Sequence, residues 1–285
     1  MVKLCYYGFM LLTPNQWIDV LQGIGKSLLE KIPQISGSAD ASVMIGRGAG
    51  GDQTFLIDET AEKIIIEALE KTAGKVTGFT LISEEYGIKQ SGAESNIHIL
   101  VDPIDGSNNA KRGVPYYAVS IAILNGKRLE DLLAGYVLDL SSGKEYWAIN
   151  GKGAWCNGKR IECRGSEEFE MVAFEASAPA KDIDTILPVL RSARKVRCLG
   201  AIALDLAIMA NNAIDLLLVA TPSRSFDFAA GMLILKEAGG IITGMDGGDI
   251  SGINAGLERT VPLIAAANKN LHSKAVELIN NRSKL

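Results

Sequence analysis

The run Ile97-His98-Ile99-Leu100-Val101 leads directly into Asp102-Pro103-Ile104-Asp105-Gly106-Ser107-Asn108-Asn109, and no other stretch restricts the folding of this chain as strongly. An apolar, β-branched run closed by Pro and Gly is the pattern of an interior strand that feeds a sharp turn. Pro103 removes a ladder donor and restricts the residue before it. Asp102 and Asp105 are therefore expected on a stiff corner from which both reach one hard cation, the kind that takes carboxylate oxygens. A purely structural corner is the alternative.

The rest of the chain supplies a large core for such a strand. With 285 residues, 47% hydrophobic and 22% charged, the composition is globular, and the length suits one large domain or two modest ones. A net charge of −4 gives no basic stripe for neutralising a phosphate backbone, so no nucleic-acid partner is expected. Cys5, Cys156, Cys163 and Cys198 form no CxxC pair or disulfide framework and read as reduced thiols. The apolar patch from Leu4 to Leu12 is far shorter than the roughly 20 residues of a membrane span. Lys3 starts it like an export signal, but Thr13-Pro14-Asn15-Gln16 ends it early, so the expectation is a cytoplasmic protein with no membrane partner. Met10 is a second candidate start.

Periodicity divides the chain into two textures. A helix is expected over 17–32, closed by Pro33, then a flexible turn over 46–52 and a helix over 57–69 with Asp58 at its start. Strands follow over 76–83, 97–101, 116–124, 132–140 and 144–149, as a mostly antiparallel meander. From Met171 the pattern alternates: strands over 172–176, 196–199, 216–219, 241–243 and 263–267, with helices over 183–193, 201–213, 226–238 and 271–279. The implied division is an α+β part over 1–165, carrying most of the candidate ligands, and an α/β part over 166–285 that completes the site.

Other acids stand at similar element ends. Glu84 and Glu85 follow the apolar run Phe79-Thr80-Leu81-Ile82. Asp227 precedes Phe228-Ala229-Ala230-Gly231 and either caps its helix or holds a metal. Asp58 is open to the same two readings, and Glu84-Glu85 to that of a solvated strand end. Carboxylates sharing two cations support phosphate-ester hydrolysis by an activated water. Amides of Gly106, Ser107 and Asn108 suit the phosphate if a helix begins there. With only His98 and His272 present, a histidine triad or zinc cluster is disfavoured.

These residues carry a family resemblance. Asp102-Pro103-Ile104-Asp105-Gly106-Ser107-Asn108-Asn109 resembles the DPxDG(T/S)xN signature of the lithium-sensitive, magnesium-dependent sugar phosphatases, specifically the inositol monophosphatases and the archaeal enzymes that also hydrolyse fructose 1,6-bisphosphate. Ser83-Glu84-Glu85 is similar to the family's upstream element, and Phe226-Asp227-Phe228-Ala229-Ala230-Gly231 to its WDxAAG element, with Phe226 in place of Trp. Asp52-Gln53-Thr54 with Ile57-Asp58, Lys152 to Gly158 and Leu199 to Leu206 also match. The resemblance implies a layered α/β/α/β/α fold, two or three Mg2+ per site and a homodimer. It implies that Glu84, Asp102 and the Ile104 carbonyl bind one magnesium, and Asp102, Asp105 and Asp227 a second, with a weaker third near Glu84. Ser107 and Asp58 would orient or deprotonate the attacking water.

One departure bears on the substrate. The acid that inositol monophosphatases use against sugar hydroxyls falls near Val219 and Ala220, which are apolar here. Arg224, just before Asp227, is suited to a phosphate oxygen or second phosphate, and Arg197 is a second such candidate. The expected function is hydrolysis of a small sugar or polyol phosphate, fructose 1,6-bisphosphate ahead of inositol monophosphate, with a place in gluconeogenesis. The alternatives are a 3'(2'),5'-bisphosphate nucleotidase and an inactive binding protein of the same fold.

Overall fold

The computed structural model describes residues 12–51, 53–164 and 166–281; Lys3, Cys5, Met10 and Asp52 lie outside the described residues. The strand expected over 97–101 extends to Ile97–Asp105 and is buried along its whole length. Its pairing with Ala118–Asn125 slips between Asp102 and Asp105. Pro103 sits in that bulge, where no ladder donor is required of it. The proline thus bends the strand without ending it, and the turn comes at Gly106, whose φ is +90°.

This strand belongs to an eight-stranded sheet in the order Lys159–Ile161, Gly153–Cys156, Glu145–Ile149, Leu132–Asp139, Ala118–Asn125, Ile97–Asp105, Phe79–Ser83, Gly87–Ser91. Its neighbours pair antiparallel except Phe79–Ser83, which runs parallel to Ile97–Asp105 with Ser83 beside Val101. A second sheet orders Lys195–Arg197, Met171–Glu175, Leu216–Val219, Leu263–Ala266 and Ile241–Gly244. Its first three strands are parallel and its last two run antiparallel to their neighbours.

Three helical layers cover the sheets. Helices Pro14–Ile35 and Leu56–Lys71 pack on one face of the larger sheet through Trp17, Leu21, Ile24, Leu28, Ile57 and Ile65, each stabilising by roughly 1.5–3 kcal/mol on burial. Helices Ile202–Ala210 and Ser225–Glu237 lie between the sheets. Helices Pro179–Ser192 and Lys269–Asn280 pack on the outer face of the smaller sheet. The order is α/β/α/β/α.

Small residues set the middle layer. A Cβ on Gly231 would stand 2.7 Å from Leu206 Cβ and 2.9 Å from the Ala203 carbonyl, so the two central helices meet at near backbone contact. This close approach holds the first turn of Ser225–Glu237, with Asp227, beside the ends of Phe79–Ser83 and Ile97–Asp105.

Several boundaries differ from the sequence expectation. The first helix passes Pro33 and ends at Ile35, because a proline in the last turn removes one intrahelical bond while the Ser36 N–H still reaches the Ile32 carbonyl at 3.0 Å. Val76 closes a short helix, Ala73–Val76, and the strand begins at Phe79 after Gly78 at φ +65°. Gly46 lies in strand Met44–Arg47, which pairs with Gln53–Phe55 as a hairpin, so the turn is confined to the residues after Arg47. Unforeseen was the hairpin Gly153–Cys156 and Lys159–Ile161, turned by Asn157 and Gly158 at φ 48° and 72°.

Candidate active site

Two parallel strands end together at the mouth of a 740 Å³ cleft. The parallel pair delivers Glu84 from one strand and Asp102 and Asp105 from the other, the carboxyl-end location where α/β sheets place ligands. Glu84, Asp102, Ile104, Asp105, Gly106, Ser107, Asn108, Arg224 and Asp227 all line this cleft. Asp58 stands just behind, in hydrogen-bond contact with Ser107.

Each aspartate of the site has a local structural anchor. Asp102 Oδ1 accepts the Ile104 N–H at 3.0 Å, and Asp105 Oδ2 accepts the Leu204 N–H at 3.0 Å, which ties the strand end to helix Ile202–Ala210. Asp227 Oδ2 accepts the Arg224 N–H at 2.7 Å, and Asp58 Oδ2 the Phe55 N–H at 3.1 Å. The capping readings of Asp58 and Asp227 therefore hold, and both residues sit at the site as well. Gly106 permits the convergence: a Cβ there would stand 3.0 Å from the Gly200 carbonyl and 3.1 Å from that of Tyr116.

Ser107 begins the short helix Ser107–Arg112. Its hydroxyl lies 2.8 Å from both Asp58 Oδ1 and the Ile104 carbonyl, so one proton has two alternative acceptors. Burial raises the Asp58 carboxyl above its ordinary value, with the Ser107 and Phe55 bonds and the Lys111 charge opposing. A carboxylate raised in this way is a stronger base than a solvated one.

The cleft is short of positive charge. Burial, then Asp227 and Glu85, push Glu84 well above the usual range, against the pull of Arg224. Burial, then Glu84, Asp105 and Asp227, do the same to Asp102. Asp105 is raised by burial and by Asp227 and Glu175, with the Leu204 and Ile202 amides opposing. Mutually repelling oxygen donors at a polar cleft fit a hard divalent cation. Among the described residues, no three acidic, histidine or cysteine side chains already surround a single ion position. Magnesium binds through a few carboxylates and keeps waters and substrate phosphate in its shell, and the converging acids fit that open mode better than a closed all-protein cage.

The two arginines separate. Arg224 is buried at 7% exposure. Its guanidinium donates to the Gly50 carbonyl, lies 3.8 Å from Glu84, and stands over Phe226 with 5.9 Å to the ring centroid. Arg197 is not at the site. It lies exposed on the edge strand Lys195–Arg197, its guanidinium donates to the neighbouring Val196 carbonyl at 2.8 Å, and it is absent from the cleft walls. Edge position in the smaller sheet, which sequence spacing does not reveal, carries it away.

Three charged cleft residues escaped the sequence reading. Lys111 lies one helical turn after Ser107, a spacing that places both on one face. Glu175 closes strand Met171–Glu175 directly opposite Val219, and its Oε1 accepts the Gly200 N–H at 2.7 Å. Arg259 donates to the Pro222 carbonyl at 2.9 Å. Glu175 carried a readable signal, an acid ending an apolar strand as at Asp102. Arg259 carried none.

The hairpin Met44–Phe55 closes one side. Ala49 N–H donates to the Glu85 carbonyl at 3.0 Å and Gly50 N–H to that of Glu84 at 2.8 Å, while Thr54 donates to the Glu85 carboxylate. Among the described residues, Cys156, Cys163 and Cys198 are free thiols, and no helix is long and apolar enough to cross a membrane.

Known proteins are similar to this chain in sequence and fold. The sequence model of the inositol monophosphatase family matches residues 17–284. A fructose-1,6-bisphosphatase/inositol-1-monophosphatase of Methanothermobacter thermautotrophicus is 34% identical over 273 residues, 92% of this chain and 96% of that protein. One from Thermococcus kodakarensis is 33% identical over 267 residues, 93% and 98% of the two chains. Among solved structures, a hypothetical protein from Pyrococcus horikoshii with similarities to inositol-1 monophosphatase matches with a TM-score of 0.79 at 30% identity, covering 93% of this chain and 98% of that one.

Proposed function

The chain belongs to the inositol monophosphatase family, and we propose that it is a magnesium-dependent hydrolase of small sugar phosphates whose centre is the acid cluster at the paired strand ends. It is a phosphoric monoester hydrolase acting on sugar phosphates. We infer fructose 1,6-bisphosphate as the leading substrate and inositol 1-phosphate as the second. The observation that carries this is Glu84, Asp102, Asp105 and Asp227 converging on one cleft beside the Ser107–Asp58 pair.

Glu84, Asp102 and the Ile104 carbonyl would hold one magnesium, and Asp102, Asp105 and Asp227 another, with a weaker third near Glu84. When bound, the ions lower the pKa of a water and offset charge on the leaving oxygen. Ser107, hydrogen-bonded to Asp58, accepts a proton from the attacking water as Asp58 takes up the hydroxyl proton. The water oxygen bonds to phosphorus as the ester P–O bond breaks, and the ester oxygen leaves with its electron pair and takes a proton from solvent to give the sugar alcohol, while Asp58 returns its proton to solvent. The amides of Gly106, Ser107 and Asn108 line the same wall and suit the phosphate oxygens. Arg224, already beside Glu84, supports binding of a second phosphate.

The same reading places the protein in the cytoplasm as a homodimer acting in gluconeogenesis, its two parts, 1–165 and 166–285, sharing the cleft. The test is phosphate release with magnesium from fructose 1,6-bisphosphate, inositol 1-phosphate and a 3',5'-nucleotide bisphosphate. Preference for the sugar phosphates is expected. Preference for the nucleotide would overturn the substrate assignment, and absence of turnover on all three would overturn the reaction.

A further inference from the structure

Lys111 is a cation in an acid-lined cleft that, among the described residues, no carboxylate has taken. Its ammonium stands 3.4 Å from the centroid of the Phe55 ring, and Phe55 is itself fixed by its N–H bond to Asp58. Among the described residues, no carboxylate lies within ion-pair distance of it and no group accepts a hydrogen bond from it. Asp58 and Glu85 influence it only through space. Arg224, by contrast, is engaged by Gly50 and Glu84.

The position of the side chain says what this charge faces. Lys111 follows Ser107 by four residues in Ser107–Arg112, and helical side chains lean toward the N-terminus. The stem therefore runs back toward Ser107, and Lys111 lines the same cleft as Ser107 and Asn108. Stacking on Phe55 restricts the ammonium, which lowers the entropy cost of binding an anion. The aromatic face leaves its other donors toward the cleft.

We propose that Lys111 binds an oxygen of the phosphoryl group undergoing hydrolysis, on the Asp58 side of the cleft. This rests on the phosphatase reading of the site. The chemistry recognised is a phosphate dianion, and inorganic phosphate, the product, is bound by the same ammonium. Lys111 thereby offsets part of the repulsion that surrounding carboxylates exert on an incoming phosphate.

The test compares the parent with Lys111→Met, which keeps an unbranched apolar stem over Phe55 and removes the charge, and with Lys111→Arg, which restores it. Affinity for inorganic phosphate is measured by calorimetry, alongside KM and kcat for fructose 1,6-bisphosphate and the thermal midpoint. Lys111→Met is expected to weaken phosphate and raise KM by about tenfold, the loss of one charge-assisted bond, with the thermal midpoint unchanged. Lys111→Arg should recover most of the affinity. Phosphate affinity and KM within twofold of an active parent would overturn the role of Lys111 alone, as would a loss accounted for by a lowered thermal midpoint. A parent that hydrolyses no phosphate ester would overturn the phosphatase reading and this role with it.

Discussion

Ser107 and Asp58 form the contact on which the proposed water activation depends, since the hydroxyl lies 2.8 Å from a buried carboxylate raised by its surroundings. Removing the hydroxyl leaves Asp58 held by the Phe55 N–H but breaks the proton path. Ser107→Ala is expected to lower kcat by about 10²-fold or more with KM little changed. A kcat within threefold of the parent would remove Ser107 from the chemistry. Arg224 is the second residue with a separable role. Arg224→Ala is expected to raise KM for fructose 1,6-bisphosphate more than for inositol 1-phosphate; equal effects would assign Arg224 only to fastening Gly50 and Glu84.

The central helices act as an element through Asp205, in the first turn of Ile202–Ala210. It is fully buried, accepts the Tyr116 hydroxyl at 2.5 Å on Oδ1, and has no hydrogen-bond partner for Oδ2 among the described residues. Burial raises its carboxyl well above the ordinary value, with the Tyr116 bond opposing and the charges of Glu175 and Asp105 assisting. A folded-state pKa above the unfolded value of 3.8 means that the stabilising contribution is complete below 3.8 and is lost as pH rises through the folded value. Asp205→Asn removes this dependence while keeping an acceptor for Tyr116. Its thermal midpoint relative to the parent is therefore expected to rise from pH 5 to pH 8 in differential scanning calorimetry, and a constant difference would contradict the account.

Elements also show which parts of the molecule were legible in sequence. Local pattern carried the strand ends, because Asp102 and Glu84 terminate apolar runs, and it carried the long helices through their apolar spacing. Asn157-Gly158 is an equally readable signal, since two residues with φ above zero make a tight hairpin turn. Arg197 and Arg224 show the limit. Both are arginines near a loop, and only the tertiary path puts one on an exposed sheet edge and buries the other against Glu84. The capping roles of Asp58 and Asp227 looked like alternatives to a site role, but a carboxylate has two oxygens. One can satisfy a helix end while the residue lines the cleft.

Across the whole molecule, the five layers bring acids from three elements to one place. Phe79–Ser83 and Ile97–Asp105 lie parallel in the larger sheet, and helix Ser225–Glu237 is pressed close by Ala230 and Gly231. The core so formed runs between the two sheets, joining residues such as Leu100 and Ala122 to Leu217 and Ile234. A buried group of like charges destabilises this arrangement until cations neutralise it. The account stands on that cluster being a metal-dependent hydrolytic centre. The most direct measurement is phosphate release from fructose 1,6-bisphosphate by the parent and by Asp105→Asn, each with magnesium and with chelator. Asn at this position can still accept the Leu204 N–H, so circular dichroism should match the parent. Turnover is predicted only in the parent with magnesium, with Asp105→Asn reduced by at least about a hundredfold; turnover in chelator, or a folded Asp105→Asn at the parent rate, would contradict the account.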